Sequence, residues 1–320
     1  MVCLCGKILS NNFVSLLDNG STTISFSKWQ RYPIEDLFNE ISAYNTFRRM
    51  IETLRHDTAR AAVKLYQYRF AGFLEAVKVT EDDEDLADFL TSEGVLSRPV
   101  LHELKYRVAS PLIDALVRIK VIPRQFRNAP SVPPKEIRPN FLDIPVILIE
   151  CLKCFDKELI RSAYSDSYKV STVSVHGSCG THVPRVYNTE LMRILCNWLK
   201  TCGWSVIGFG QHNTKTANRK HRYSDIVLEK EGIRIVLELL ATRDAAFMKL
   251  HIKKTPEYVA LHSAVEGWVI HFTCEDPFTP TQPELSCGVN VIYDSHREDF
   301  TNLTLHIYSK GTQEEKVLCI

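Results

Sequence analysis

Two strand-like runs separated by a short polar turn constrain this chain more than any other feature. Asp225-Ile-Val-Leu228 and Ile233 to Leu240 are rich in β-branched residues and leucine, and Glu-Lys-Glu-Gly stands between them. With Glu231 and Gly232 as a two-residue turn, Lys230 pairs with Ile233, Glu229 with Arg234, and Asp225 with Glu238. Directly opposed residues of such a pair lie about 4.5 to 5.5 Å apart on one sheet face. Two carboxylates so placed repel unless a cation sits between them, and an unpaired charge in apolar sequence is costly. A hard divalent cation resolves both conflicts, and Mg²⁺ typically uses one or two protein carboxylates. The same residues also fit a plainer arrangement, in which Asp225 starts a strand and Glu238 caps a strand edge. A bulge would slip the register by one and separate the pair.

The rest of the chain says what kind of molecule surrounds this hairpin. Its 320 residues suffice for two domains with separate cores, and 45% hydrophobic with 24% charged residues is an ordinary globular composition. A formal net charge of +1 leaves no global basic field, so any nucleic-acid contact must come from a local patch. No apolar run reaches the roughly 18 to 20 residues of a membrane span, and the start lacks the ordered regions of a signal peptide. The ten cysteines are therefore expected as reduced thiols in an intracellular compartment. Cys151-Leu-Lys-Cys154 is a lone C-x-x-C in a helical pattern and reads as buried helix rather than a zinc site.

Residues 1–122 read as a mainly helical domain. Apolar residues recur at helical spacing from Tyr32 to Phe73. The acidic run 81–85 suits a helix start, and Ser110-Pro111 opens another helix. Between these lie two short apolar pieces, giving the helix, turn, strand, loop, strand order of a winged-helix-like element. Residues 123–140, with five prolines, are the linker candidate. A connecting helix and strand are expected over 141–186, with helix from Phe141 to Tyr164. Residues 187–310 alternate helix and strand as an α/β domain, and 311–320 read as a tail.

Within that α/β region, Asn188 or Thr189 can cap a helix that carries Glu190. The stretch Lys215 to Arg222 holds Lys215, Arg219, Lys220 and Arg222 immediately before Asp225, as phosphate positioning would require; a flexible solvated loop has the same composition. Lys249, Lys253 and Lys254 lie together on a later helix, where Pro256 marks a place the helix can end. They fit either a role beside the carboxylates or ordinary solvent decoration. His251 and His271 read as structural.

These pieces together resemble the PD-(D/E)XK nuclease superfamily, and most closely the nuclease domains of Crinkler-like proteins. The resemblance rests on Tyr187-Asn-Thr-Glu-Leu-Met-Arg-Ile-Leu195 with Trp198, Tyr223-Ser-Asp-Ile226, Leu237-Glu-Leu-Leu-Ala-Thr242, Thr255-Pro-Glu-Tyr258, Gly267-Trp-Val-Ile-His-Phe272 and Gly288-Val-Asn-Val291, in that order. It implies a restriction-endonuclease-like core, a mixed central sheet flanked by helices. It also implies a site in which Asp225 and Glu238 hold Mg²⁺ or Mn²⁺ and Glu190 assists. The family's lysine belongs at position 240, where this chain has Leu. In similar nucleases a Q-x-x-x-Y motif lies on the following helix, so the resemblance points to Lys254 and Tyr258, with Lys253 beside them on the nucleic acid.

Residues 88–113 are similar to the winged-helix tail that follows a P-loop ATPase in longer Crinkler-like proteins. No G-x-x-x-x-G-K-[ST] is present, so ATP is not expected. The implied function is metal-dependent hydrolysis of phosphodiester bonds, in DNA before RNA, with the N-terminal domain available to a protein partner. The alternative is a catalytically inactive nuclease fold that binds nucleic acid or protein as an effector module. A nuclear destination, or delivery into a host cell, follows from the family resemblance alone.

Overall fold

The computed structural model describes residues 34–71, 76–100, 102–161, 185–212, 222–241, 245–274, 279–280, 282–283, 288–297, 299–309 and 312–319. The N-terminal region is helical. It opens with α1 (Ile34–Ala43), α2 (Asn45–Arg55) and α3 (Arg60–Leu65), which runs into a π-helical turn at Tyr66–Phe70. Three short antiparallel strands follow, β1 (Val77–Lys78), β2 (Leu96–Ser97) and β3 (Lys105–Val108), ordered β1-β3-β2. Between the first two lies α4 (Glu84–Ser92), whose first turn carries Glu84 and Asp85 where the helix dipole favours carboxylates. Ser110 caps α5 (Pro111–Leu116) by accepting from the Ile113 amide at 3.2 Å. A second π-helical turn, Val117–Val121, joins α5 to α6 (Ile122–Gln125).

The expected linker is not a free tether. Pro123 lies inside α6, and Glu136–Arg138 (β4) pairs with Phe141–Leu142 (β5). The carbonyls of Phe126, Asn128 and Val132 accept hydrogen bonds from Arg193, Asn197 and Trp198 of α8 (Arg185–Trp198). Prolines remove backbone donors, and here side chains of a neighbouring helix satisfy the remaining acceptors. The helix expected over 141–164 is also shorter. Asp143 caps α7 (Ile144–Leu152), and the chain turns at 153–156 before helical backbone resumes at 157–161.

The C-terminal half is a mixed seven-stranded sheet in the order β12-β11-β10-β9-β8-β7-β6. Its strands are β6 (Ser205–His212), β7 (Arg222–Lys230), β8 (Ile233–Leu240), β9 (Glu266–Thr273), β10 (Val289–Ser295), β11 (Leu303–Ser309) and β12 (Thr312–Leu318). Strands β8, β9 and β10 are mutually parallel and the other neighbours antiparallel. The α9 helix (Ala245–Leu261) crosses from β8 to β9. The molecule is thus an α/β protein with a helical N-terminal region. The residues expected as a C-terminal tail are instead the edge strand β12, paired with β11 from Ser309–Thr312 to Leu303–Leu318.

Alternation along the strands separates the two sheet faces. On one face Ile226, Leu228, Ile235 and Leu237 join Leu191, Ile194, Leu195 and Trp198 of α8 in the largest core. On the other, Leu240, Val269, Val291 and Tyr293 pack with Met248 and Ile252 of α9, and Val227 and Val236 with Tyr258. Gly267 allows α9 to lie close: a Cβ there would stand 2.6 Å from Val259 Cγ2 and 2.8 Å from Thr255 Cγ2. Among the described residues no helix is long and apolar enough to cross a membrane.

Candidate metal centre

The β7–β8 turn fixes the site. Glu231 and Gly232 have φ of 50° and 79°, the double positive φ of a type I′ turn, whose twist matches that of paired strands. The register then runs Lys230↔Ile233, Glu229↔Arg234, Leu228↔Ile235, Val227↔Val236 and Ile226↔Leu237. One step further, Asp225 lies opposite Glu238, on the face covered by α9. Asp225 Oδ2 accepts from the Leu239 amide at 2.8 Å. Glu238 is 2% exposed, and its Oε1 has no hydrogen-bond partner among the described residues.

Burial makes both carboxyls reluctant to ionise. It pushes Asp225 up to about 8, with the neighbouring Glu238 charge adding to the effect and the Leu239 amide opposing it. It also pushes Glu238 up to about 8, against the pull of the Asp225 backbone hydrogen bond and the Lys254 charge. An orphaned buried oxygen in an opposed carboxylate pair fits a hard divalent cation. Among the described residues no group of three or more His, Cys, Asp or Glu side chains is placed to hold a metal. A pair of carboxylates such as Asp225 and Glu238 could hold an ion that keeps several of its waters, as Mg²⁺ does.

The α9 helix brings cationic chemistry to the same place. It continues through Pro256, and Thr255 Oγ1 donates to the His251 carbonyl at 2.9 Å one turn back. Of its three lysines, Lys249 and Lys253 are exposed, whereas Lys254 is half-buried and lowers the proton affinity of Glu238. His251, one turn before Lys254, sets Nδ1 at 3.9 Å from Glu238 Oε2. Burial, then the Lys254 charge, holds its imidazole below the usual range, and Asp225 works the other way. Sequence reading took His251 as structural, and its i, i+3 spacing to Lys254 puts both on one side of the helix. Leu240, where the resemblance would call for a lysine, is a core residue 3% exposed.

Two expected participants are elsewhere. Glu190 is fully buried on α8, on the opposite sheet face, with both oxygens committed. Oε1 accepts from Gln67 Nε2 at 2.7 Å and Arg193 Nε at 2.9 Å. Oε2 accepts from the Asp156 amide at 2.8 Å and Arg193 at 2.7 Å. A carboxylate so saturated ties the helix to its surroundings and does not reach the Asp225–Glu238 pair. Tyr258 is 7% exposed in a small core with Val227 and Val236, so its ring is not available to stack on a base. Arg222 opens β7 opposite His212, and Lys215, Arg219 and Lys220 lie outside the described residues. Comparison of the chain with family models, curated proteins and solved structures finds no match.

Proposed function

We propose that this protein is a metal-dependent nuclease that hydrolyses phosphodiester bonds, in DNA before RNA, on a restriction-endonuclease-like core. The observation that carries the reading is half-buried Asp225 opposed to buried Glu238, one of whose oxygens has no partner among the described residues, with Lys254 close by. Asp225 and Glu238 would hold Mg²⁺ or Mn²⁺, which when bound supplies Lewis acidity to a phosphoryl oxygen and acidifies a water. The Leu239 amide keeps Asp225 oriented. Lys254 places a positive charge where the transition state gathers negative charge. Exposed Lys253 and the basic segment 215–222 would meet the phosphate backbone. The helix, strand, loop, strand order of residues 84–108 supports a winged-helix element of the Crinkler-like kind, available to a protein partner.

The burial of Leu240 favours a second reading, a nuclease fold that binds nucleic acid without cutting it. One assay separates the two. The protein is incubated with plasmid and single-stranded DNA in Mg²⁺ or Mn²⁺, beside Asp225→Ala and Glu238→Ala. Metal-dependent cleavage lost in both variants supports the enzyme. Equal cleavage by the variants, or none by any form, overturns it; retention of DNA without cleavage supports the binding module.

A further inference from the structure

Four exposed arginines gather where the end of α2 and the start of α3 meet α6. Gln125 fixes this junction, its Nε2 donating to the carbonyls of Leu54 at 2.7 Å and His56 at 2.9 Å. Arg55 Nε donates to the Lys120 carbonyl at 3.0 Å. Arg60 Nη1 donates to the Gln125 carbonyl at 2.6 Å, and its guanidinium lies 4.9 Å from the centre of the Phe126 ring. Arg127 Nε donates to the Arg124 carbonyl at 3.2 Å. Carbonyls near helix ends are ordinary partners for arginine, but each of these bonds uses one of five guanidinium N–H donors. The Arg124 side chain makes no hydrogen bond or ion pair among the described residues.

None of the four has a carboxylate within ion-pair distance among the described residues. Residues 52–60 and 120–127 hold five Lys and Arg against two Asp and Glu, a local excess of +3 in a chain whose formal net charge is +1. The cations crowd one another. Burial, and then the Arg124 charge, make Arg55 harder to protonate, and Glu52 offsets them only in part. Folding therefore holds like charges together, a repulsion that a bound polyanion would relieve.

What surrounds these charges selects the partner. Protein interfaces centre on a buried aromatic or aliphatic anchor, and membrane surfaces need apolar side chains to insert. The exposed large apolar residues among those described are Val100, Val132, Ile137, Leu250, Val265 and Val317, and none lies in either segment. Phe126, the aromatic residue at the junction, is covered by Arg60. A phosphate backbone asks only for cations and fork-shaped donors. We propose that Arg55, Arg60, Arg124 and Arg127 form a further nucleic-acid contact, a surface of the helical N-terminal region that holds the phosphate backbone of duplex DNA. It builds on the nucleic-acid reading above, but not on cleavage.

The test is fluorescence anisotropy of a labelled DNA duplex titrated with the full chain in EDTA, over a series of salt concentrations. Arg55→Gln combined with Arg124→Gln should weaken binding at least about tenfold. It should also reduce the slope of log affinity against log salt by about 2, near one per lost phosphate contact. Arg124→Gln alone, which breaks no bond within the fold, should reduce that slope by about 1 and leave thermal unfolding unchanged. Lys316→Gln removes an equal charge from a lysine bridged to Glu314 at 3.4 Å, and should bind DNA as the wild type does. So should Asp225→Ala; a protein that binds in this way and never cuts would fail the nuclease reading alone. No salt-dependent binding, an unchanged slope in the folded variants, or an equal loss with Lys316→Gln would overturn the proposal. So would phosphatidylserine vesicles that bind more tightly than the duplex and are released by the same substitutions.

Discussion

At Glu238 a carboxylate is held 2% exposed, with one oxygen that has no partner among the described residues and a second carboxylate across the hairpin. That arrangement has a thermodynamic signature. Both carboxyls hold their protons up to about pH 8 in the folded chain, against ordinary values of 3.8 and 4.5. Between about pH 4 and 8 the native state binds more protons than the unfolded state, so the metal-free protein should lose stability as pH rises through that window and level off above it. His251 and Lys254 face the pair from α9 and are common to wild type and variant. Thermal melts from pH 5 to 9 should therefore show Glu238→Gln with a shallower decline than wild type; parallel curves would count against the buried pair. Lys254 gives a second test. Lys254→Ala should lower kcat by on the order of 10²-fold, the scale of losing one positioned transition-state charge, whereas exposed Lys249→Ala should leave cleavage rates unchanged. The pair itself was legible in sequence, because a two-residue turn and strict alternation leave one register. Which α9 lysine approaches it was only half legible, since side-chain burial depends on how the helix rotates against the sheet.

The elements hold these residues in place through close contacts. Gly267 lets α9 sit on β9, and a Cβ there would press on Val259 and Thr255. Gly267→Ala is expected to destabilise by about 1–3 kcal/mol, the usual range for overpacking, and to depress cleavage by lifting Lys254 from Glu238. Urea unfolding and rate measurements on one preparation would check both. Lowered stability with full activity would show that α9 does not position the lysine. The succession of β8, α9 and β9 was readable as part of the α/β alternation over 187–310, though not its parallel pairing. The edge strand β12 was not: Thr312 to Glu315 are exposed, and a charged edge lacks the alternation that marks a half-buried strand. The break after α7 was missed because its apolar spacing runs on through Phe155, while the chain turns there for hydrogen-bonding reasons. The Asp156 amide donates to Glu190, and the Asn128 amide and Arg193 donate to the Cys154 carbonyl.

Across the whole molecule, two π-helical turns join the helical N-terminal region to α8, which packs on the sheet. Gln67 from the first reaches Glu190, and Arg118 from the second reaches Asn188 at 2.8 Å while bridging Asp114 at 3.2 Å. Arg193, 2% exposed, closes this network on Glu190 and on the carbonyls of Phe126, Asn128 and Cys154. Arg193→Met leaves the Glu190 charge buried without its cation, and should cost about 3–5 kcal/mol. It should also split a single unfolding transition into two, read by differential scanning calorimetry; one undisturbed transition would mean that the halves are joined by other contacts. The resemblance gave Glu190 to the metal site, although Arg193 stands one turn on and pairs with it. Its other partners, Gln67 and the Asp156 amide, lie 123 and 34 residues away, and such distant pairing leaves no periodic mark.

The central claim is that Asp225 and Glu238 form a divalent-cation site, and calorimetric titration of Mn²⁺ into the protein at pH 7 tests it most directly. Because both carboxyls still hold protons there, binding one ion should release protons, so the apparent enthalpy should vary with the buffer's ionisation enthalpy. Asp225→Asn combined with Glu238→Gln should abolish that binding. An unchanged isotherm in the folded double variant, or no saturable binding by the wild type, would contradict the account.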